Sequence, residues 1–315
     1  EKSVISEDEL VRAIRKVLSG DAPGVAIGIG DDAAVVDTGR HHTILTTDML
    51  VEAVHFELAS ASAHDIGHKA LTVNVSDVAA MGGTAAYALA TIALRRDLPV
   101  DVFEGVADGL IEAAERWRIS VVGGDISEAS ELMVGVSLIG SITGSPVTRA
   151  GARPGDAICV TGTLGGAAGG LIALSKGLDA PDLVARQRRP IPRATEGPRL
   201  ASAGISAMID VSDGLAVDLG RVVEASGAGC EVDVDAIPVD PALDTLPGID
   251  VVEMAVTGGE DFELLFTTDD LPTARAAVEG SAVTQIGVVT DGPATIGGTA
   301  IEGWRERGWE HLLDR

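Results

Sequence analysis

The sequence predicts an α/β protein of the α+β type, built from two domains that each combine a mixed sheet with helices packed on one face. Short apolar strands alternate with helical segments along the chain. A length of 315 residues fits two domains, each able to bury its own core. A stretch at 148–156 is rich in glycine and proline and poor in apolar residues, which is typical of a join between domains.

We therefore place an N-terminal α/β domain at residues 1–148 and a C-terminal α/β domain at residues 149–315. In the first domain, Ser6 and Glu9 form a capping pair ahead of apolar residues at helical spacing. Strand-like and helix-like patterns alternate after it. The predicted elements are a helix at 6–18, strands at 33–37 and 43–47, a helix at 62–81, a strand at 87–94, a helix at 100–117, and strands at 120–122 and 132–143.

The second domain repeats this alternation. Its predicted elements are a strand at 157–161, a helix that ends near 177, a basic elbow at 186–193, a helix at 195–203, a strand at 207–211 followed by a helix, a strand at 231–234, a strand within 258–268 and a helix at 270–280. The glycine-rich turn at 162–170 could bind phosphate through backbone N–H groups at the start of a helix. Close helix packing explains these glycines equally well, and no Walker A motif follows them.

Acidic residues beside small residues recur six times. The segments are GIGDD at 28–32, TTD at 46–48, VSD at 75–77, GGD at 123–125, DVSD at 210–213 and GGED at 258–261. Each alone fits an acidic turn, and Ser212 and Asp213 could simply cap a helix. Their recurrence favours a shared task. Carboxylate and hydroxyl oxygens select Mg²⁺ or Mn²⁺, and the sequence offers no cluster of histidine and cysteine for zinc.

Asp77 stands out within the predicted helix at 62–81. Apolar residues point in nearly every direction around this segment, which predicts a buried helix. A carboxylate in such a helix is costly unless it is paired or bound to a metal ion. Asn74 shares its face, three residues earlier. The alternative is that Asp77 bonds a neighbouring loop or Lys69.

The composition excludes several classes of partner. The 48 acidic and 23 basic residues give a net charge of −25, which repels nucleic acid and anionic membranes. A phosphorylated ligand would need divalent cations to approach carboxylates. Cys159 and Cys230 form no CxxC motif and fit core positions in a reducing compartment. Because the first residues hold no basic stretch followed by an apolar run, we expect no secretory signal there and a cytoplasmic location.

The sequence resembles the thiamine-monophosphate kinase family, part of a superfamily with aminoimidazole ribonucleotide synthetase and selenophosphate synthetase. The resemblance covers essentially the whole chain, in order and with similar spacing. It rests on the segments GIGDDAAVV, TTDMLVEAVHF, HKALTVNVSDVAAMGG, VGGD, TRAGARPGDAICVTGTLGGAAGGL, RRPIPR, IDVSDGLAVDLG, VTGGEDFELLF and GWEHL.

The resemblance implies an aminoimidazole ribonucleotide synthetase-like fold, ATP as co-substrate and Mg²⁺-dependent phosphorylation of thiamine monophosphate to thiamine diphosphate. It also implies a homodimer in which the N-terminal sheets of two subunits meet. The implied metal ligands are Asp32, Thr46, Thr47, Asp48, Asp77, Asp125, Asp210 and Asp213. The implied ATP contacts are Gly124, Asp125, Arg149 and Ser212. The implied contacts to thiamine monophosphate are His55, Glu260 and Trp309, with Trp304 as the alternative to Trp309. Catalysis would rest on Asp48, Asp77, Asp125 and Arg149.

The implied reaction needs no strong general base, because the acceptor is a phosphate that is largely ionised near neutral pH. The enzyme would instead hold two anions in line and offset their repulsion with Mg²⁺ and Arg149. Two alternatives remain at this point. The chain could be another ATP-using synthetase of the superfamily, or a non-catalytic protein that binds nucleotide and Mg²⁺. A selenophosphate synthetase would be expected to carry a reactive cysteine or selenocysteine before GIGDD, and none occurs there.

Overall fold

The computed structural model describes residues 24–39 and 42–307, so the predicted helix at 6–18 and Trp309 lie outside the described residues. Its first half contains strands and helices in the predicted alternation. In chain order they are β1 (Val25–Ile27), β2 (Ala34–Asp37), β3 (His42–Val51), α1 (Ala63–Ala80), β4 (Thr84–Leu94), α2 (Val100–Trp117), β5 (Ser120–Glu128) and β6 (Met133–Ile142).

These strands form one mixed sheet in the order β1-β2-β3-β6-β4-β5. The β4–β5 pair is parallel and the other neighbours are antiparallel. Alternation along β3 sends Ile44 and Leu50 into a core covered by α1 and α2, whereas Leu45 and Met49 are exposed on the opposite face. The first sheet thus has one face covered by helices and one open apolar face.

Helix α1 is the buried helix that the apolar pattern predicts. It begins after Ser62, whose hydroxyl accepts the N–H of Asp65 at 3.0 Å. Between Ile66 and Ala80 every residue except Asp77 is buried. Asp77 is therefore the one residue of this stretch that is half-buried.

The prediction that a strand ends just before GGD is wrong. Strand β5 continues through Gly123, Gly124 and Asp125 to Glu128, and it is exposed along its whole length at the edge of the sheet. A Cβ on Gly124 would lie 1.7 Å from the carbonyl oxygen of Ala90 in β4, so close strand approach requires glycine there. Asp125 consequently lies on an edge strand and not in a turn.

The second half begins with β7 (Ala157–Thr161) after the join. It continues with α3 (Gly166–Lys176), α4 (Pro181–Arg188), α5 (Glu196–Ser202), β8 (Ala207–Asp210), α6 (Leu215–Ser226), β9 (Gly229–Val232), α7 (Val251–Thr257), β10 (Leu264–Thr268), α8 (Leu271–Ala277), β11 (Val283–Thr290), β12 (Ala294–Ile296), β13 (Thr299–Ala300) and α9 (Ile301–Arg305). Two short 3₁₀ helices, Val234–Ala236 and Pro241–Thr245, precede α7. Arg186 and Arg188 lie in the last turn of α4, so the predicted basic elbow is partly helical, and α7 was not predicted.

The second sheet is also mixed, with the strand order β13-β12-β9-β11-β7-β10-β8. The β12–β9 pair is parallel and the other neighbours are antiparallel. Ile158 and Val160 of β7 point into a core completed by α6, α7 and α9. Cys159 points to the other face, where α5 and α8 contribute a smaller core. Two mixed sheets with packed helices confirm the predicted fold class. The prediction that helices cover one face of each sheet is wrong for the second sheet, which has helices on both faces.

The two halves meet along the C-terminal part of α1. Ser76 donates a 2.5 Å hydrogen bond to Asp210 at the end of β8. Gly197 in α5 packs so closely on α1 that a Cβ there would lie 2.1 Å from the carbonyl oxygen of Ala79. The boundary at residue 148 stays a prediction. Within 24–39 and 42–307, no helix is long and apolar enough to cross a membrane.

Candidate functional site

Asp77 lies at the centre of a group of carboxylates at the junction of the two halves. Thr46 on β3 donates a 2.5 Å hydrogen bond from Oγ1 to Asp77 Oδ2. Asp48 lies two residues further along β3, on the same face as Thr46. Burial raises the pKa of Asp77 well above its usual value, and the nearby charges of Asp48, Asp210 and Asp32 raise it further. These four aspartates therefore share one electrostatic environment.

Asp210 joins this group from the second half. Its Oδ2 accepts the Ser76 hydroxyl, and burial together with the Asp32 charge raises its pKa well above the usual value. Arg149 lies beside the group and donates to Asp32 Oδ1 at 2.6 Å. Asp32 Oδ2 is buried and has no hydrogen-bond partner among the described residues. A buried, unpartnered carboxylate oxygen is costly, and a cation is the ligand that would offset the cost.

Asp31 and Asp32 have separate environments. Asp31 Oδ1 accepts the backbone N–H of Arg149 at 3.1 Å and that of Asp32 at 3.3 Å. Burial and the neighbouring Asp32 charge raise the pKa of Asp31 to about 6. Asp31 therefore fixes the turn to the second half of the chain, whereas Asp32 faces the other carboxylates.

The loop after β8 is organised by Asp218, which the sequence analysis missed. Asp218 Oδ2 accepts the N–H groups of Ser212, Asp213 and Gly214 at 3.1, 3.0 and 3.1 Å. Its Oδ1 contacts Arg221 at 2.8 Å, and the same guanidinium contacts Asp213 at 2.5 Å. Helix α6 is capped at Gly214 without a side-chain hydrogen bond, so the capping role considered for Ser212 or Asp213 is wrong. The sequence did contain one signal for this role, because Asp218 is an acidic residue in the first turn of the predicted helix.

The GGED loop lies against this loop. Glu260 N–H donates to Ser212 O at 2.8 Å, and Phe262 N–H donates to Val211 O at 2.9 Å. The carboxylate of Asp261 accepts the N–H groups of Gly165 and Ala167 at 2.6 and 3.0 Å. These N–H groups of the glycine-rich turn are therefore occupied by a side chain of the protein.

Packing explains the remaining glycines of that turn. A Cβ on Gly169 would lie 2.4 Å from Leu243, and one on Gly170 would lie 2.2 Å from the carbonyl oxygen of Leu183. The structure thus favours helix packing over phosphate binding for the stretch at 162–170.

The structure separates three predicted site residues from the carboxylate group. Thr47 points to the open face, where its hydroxyl lies 3.1 Å from Ser137 Oγ, so Thr46 and Thr47 lie on opposite faces of β3. Asp125 pairs with Thr91, and β6 and β4 lie between its strand and that of Asp48. Three strand spacings of about 4.8 Å put these backbones about 14 Å apart. Gly124 lies beside Asp125 on β5.

The predicted contacts to the acceptor are placed as follows. His55 lies after β3, and its Nδ1 accepts the N–H of Val51 at 3.0 Å. Glu260 lies in the GGED loop, where its Oε1 is 2.6 Å from Lys69 Nζ. Trp309 lies outside the described residues. Trp304 packs on the C-terminal core and donates from Nε1 to Ile296 O at 3.2 Å, so its indole is engaged in the fold.

Within the described residues, no group of three or more histidine, cysteine or acidic side chains is placed to hold a metal ion by itself. Mg²⁺ commonly uses one or two carboxylates and completes its shell with water and substrate phosphates. Oxygen ligands, mutual repulsion among four aspartates and the orphaned oxygen of Asp32 fit such an ion. The arrangement is suited to holding a metal ion together with a phosphorylated ligand.

Comparison with known proteins agrees with this arrangement. Residues 30–142 match the family described as AIR synthase related protein, N-terminal domain, and residues 153–298 match its C-terminal domain. The thiamine-monophosphate kinase of Rhodopirellula baltica is 36% identical over 284 residues, which cover 85% of this chain and 84% of that protein. The thiamine-monophosphate kinase of Salmonella typhimurium is 38% identical over 275 residues, covering 84% and 82%.

A solved structure described as AaThiL complexed with AMPPCP and TMP has the same fold. It superposes with a TM-score of 0.87 at 32% identity, covering 98% of this chain and 97% of that chain. The similarity therefore extends over both sheets and across the junction that holds the carboxylates.

Proposed function

This chain belongs to the thiamine-monophosphate kinase family, and we propose that it transfers the γ-phosphoryl group of ATP to thiamine monophosphate. In this reaction an oxygen of the acceptor phosphate bonds to the γ-phosphorus while the bond to the bridging oxygen of ADP breaks. The products are thiamine diphosphate and ADP. The observation that carries the proposal is the group of Asp32, Asp48, Asp77 and Asp210, which is held at the junction of two domains at an electrostatic cost.

Mg²⁺ is part of the proposal. Asp32, Asp48, Asp77 and Asp210 would hold it on the helix-covered side of the first sheet, with Thr46 and Asp213 at the margins. The ion would neutralise charge on the transferring phosphates and align them. The raised pKa of Asp77 fits this role, because repulsion among carboxylates is the cost that a bound cation removes.

Arg149 would act on the phosphates directly. Its guanidinium bridges the turn of Asp31 and Asp32, and it is fixed there by its own backbone N–H. A fixed guanidinium beside developing charge stabilises a phosphoryl transition state. We propose that Gly124, Arg149 and Ser212 contact ATP, and that His55, Glu260 and Trp309 contact thiamine monophosphate. No general base is required, because the acceptor oxygen is already ionised near neutral pH.

A homodimer completes this proposal, because two strand edges and one apolar face of the first sheet remain open. Strand β2 pairs with β3 only as far as Leu45, which leaves Thr46 to Val51 with an open edge on that side among the described strands. Strand β5 is an exposed edge as well. The open face carries the exposed side chains of Leu45, Met49, Tyr87 and Leu89. Exposed edges and apolar patches of this kind are normally covered in the functional assembly.

Pairing β5 of each subunit with β3 of its partner would close an eight-stranded barrel around the open faces. That pairing would bring Asp125 from one subunit to Thr47 and Asp48 of the other. Within one subunit three strand spacings separate the backbones of Asp48 and Asp125 by about 14 Å, whereas the proposed pairing would leave one spacing of about 4.8 Å between their strands. We therefore propose that Gly124 and Asp125 serve the partner's site.

A cytoplasmic location is also proposed, and the buried free thiols of Cys159 and Cys230 suit a reducing compartment.

The reaction is tested by incubating the protein with ATP, Mg²⁺ and thiamine monophosphate and identifying the products by chromatography. Thiamine diphosphate and ADP should appear in equal amounts. ADP release only with formylglycinamidine ribonucleotide would instead indicate a synthetase, and binding without turnover of either acceptor would indicate a nucleotide sensor.

The proposal that Asp125 serves the partner's site is tested with two inactive variants, Asp48→Asn and Asp125→Asn. Their dimers are reversibly dissociated, mixed and allowed to reassociate. If Asp125 acts on the partner's site, each mixed dimer contains one intact site. Equal mixing should then restore about one quarter of wild-type activity in a statistical population of dimers. If Asp125 acts within its own subunit, both sites of a mixed dimer are damaged and no activity returns.

A further inference from the structure

The GGED loop holds a strained backbone. Glu260 and Phe262 have φ angles of 67° and 50°, in the left-handed region that favours glycine. Such residues persist only where the surrounding structure fixes them, and they are found preferentially at functional sites. In this loop Glu260 and Phe262 flank Asp261, so the backbone of three successive residues is constrained.

Four hydrogen bonds account for part of that constraint. The N–H groups of Glu260 and Phe262 donate to the loop that contains Ser212, and Asp261 accepts two N–H groups from the start of α3. All of these contacts lie within the C-terminal half. They fix the path of the backbone, but they leave the direction of the Glu260 side chain open.

That direction is set by a contact from the N-terminal half. Lys69 in α1 is 4% exposed, and its Nζ lies 2.6 Å from Glu260 Oε1, which is an ion pair by distance although its angles are not those of a hydrogen bond. The Glu260 side chain is 30% exposed, so its carboxylate remains accessible while the ammonium group is buried. A buried ammonium group is costly unless it is paired, which favours one arrangement of the two side chains.

Lys69 also lies on the face of α1 that contacts the carboxylate group. Seven residues separate Lys69 from Ser76, which is close to two full turns, so the two side chains point in nearly the same direction. Ser76 donates to Asp210, one of the clustered carboxylates. The same face of α1 thus contacts the carboxylate group at one end and Glu260 at the other.

We propose that Lys69 is a positioning residue for the acceptor, acting by orienting the Glu260 carboxylate across the domain junction. A carboxylate repels phosphate and attracts cationic groups, so Glu260 is suited to the cationic ring system of thiamine and not to ATP. The inference rests on the proposed function and assigns to it a residue that fixes acceptor geometry. It predicts an effect on acceptor binding with little effect on ATP.

The test is steady-state kinetics of Lys69→Met, Lys69→Arg, Glu260→Gln and the double variant Lys69→Met/Glu260→Gln. Lys69→Met should raise the KM for thiamine monophosphate by about tenfold, as coupled contacts of this kind do. The KM for ATP should change by less than about twofold. Lys69→Arg, which keeps the charge, should recover part of the loss. The double variant should be no worse than Glu260→Gln alone, because both changes remove one interaction.

Arg189→Met is the matched control. Arg189 also crosses the domain junction, where it contacts Asp65 at 2.5 Å and Glu112 at 3.2 Å, but it lies among residues outside the proposed site. It should lower the melting temperature without changing either KM. Melting curves of every variant show whether the folded protein is being measured, and Lys69→Arg supplies the comparison if Lys69→Met folds poorly.

Three results would overturn the inference: an unchanged acceptor KM in Lys69→Met, equal rises in both KM values, or additive losses in the double variant. Each of these can occur in an enzyme that is active with thiamine monophosphate. Absence of thiamine diphosphate formation by the wild-type protein is a different outcome, because it refutes the proposed function itself and the inference with it.

Discussion

Replacement of Asp218 tests whether the loop at 212–214 depends on the buried acceptor beneath it. Asp218 is fully buried, and one of its oxygens accepts three consecutive backbone N–H groups. Asp218→Ala removes that acceptor. Asp218→Asn keeps a carbonyl oxygen of the same shape and removes only the charge. The two variants therefore separate the geometry of the acceptor from its ionisation.

The expected magnitudes follow from the surroundings of the three N–H groups. Gly214 is buried, so its orphaned N–H costs about 1–3 kcal/mol, and the partly exposed N–H groups of Ser212 and Asp213 cost less. With the lost pairing to Arg221, we expect Asp218→Ala to lose about 3 kcal/mol, or about 6–12 °C in melting temperature. Burial raises the pKa of Asp218 to about 7, so the fold already tolerates the neutral side chain. Asp218→Asn should then lose less than about 1 kcal/mol.

The assay is urea unfolding and thermal melting at pH 8, with turnover of thiamine monophosphate measured on the same preparations. Asp218→Ala should lose most of its activity, because Ser212 and Asp213 lose their support, whereas Asp218→Asn should keep most of it. Equal destabilisation of the two variants would show that the charge is required. An Asp218→Ala variant as stable as wild type would refute the account of the loop.

Further predictions concern a pH effect, a buried ion pair and the assembly. Burial raises the pKa of Asp261 from 3.8 to about 7, so the folded chain binds its proton more tightly than the unfolded chain. Wild-type stability relative to Asp261→Asn should therefore fall as pH rises from about 4 to 7, by about 1.4 kcal/mol per pH unit, and stay level above 7; urea unfolding at pH 5, 6, 7 and 8 checks this. Arg193 pairs with buried Glu263 at 2.5 Å, so Arg193→Met should cost about 3–5 kcal/mol and Arg193→Met/Glu263→Gln should recover much of it in denaturant titrations. Leu89→Glu on the open face should give an inactive monomer by light scattering, and an active Leu89→Glu monomer would contradict the shared site.

Local patterns in the sequence predicted the parts of the fold that local physics determines. The apolar residues around α1 predicted a buried helix, and between Ile66 and Ala80 the observed helix has Asp77 as its one partly exposed position. The strand at Ala157–Thr161 and the helix at Val100–Trp117 have the predicted bounds. The helix at Val100–Trp117 buries one face at the helical period, whereas α1 and the strand at Ala157–Thr161 are apolar on nearly all sides because they are buried on all sides.

The features that the sequence failed to predict have a different cause. GGD reads locally as a turn, but pairing with β4 extends the strand through it, and that pairing depends on residues more than thirty positions away. Asp218 supports a loop from within a helix, and Lys69 meets Glu260 across the domain junction. Contacts of this kind depend on how elements pack, which no local period records. The implied roles of Asp125 and Thr47 stay predictions until the assembly is tested.

The carboxylate group was only partly predictable from the sequence. The recurring acidic segments predicted that separate aspartates share a task, and the structure brings Asp32, Asp48, Asp77 and Asp210 into one electrostatic environment. The sequence held no sign that Arg149 would pair with Asp32, because that contact depends on how the two halves pack. The divergence of Thr46 and Thr47 follows from the alternation of side chains along a strand and could have been predicted.

The most direct test of the carboxylate site is Asp77→Asn, measured for thiamine diphosphate formation across a Mg²⁺ titration and for melting temperature in parallel. Asparagine can still accept the Thr46 hydroxyl, but it removes one charge from a group whose pKa is raised by burial and repulsion. We predict a variant that melts higher than wild type and forms no thiamine diphosphate at any Mg²⁺ concentration. Normal turnover by Asp77→Asn at ordinary Mg²⁺ concentrations would contradict the assignment of this group as the metal and phosphate site.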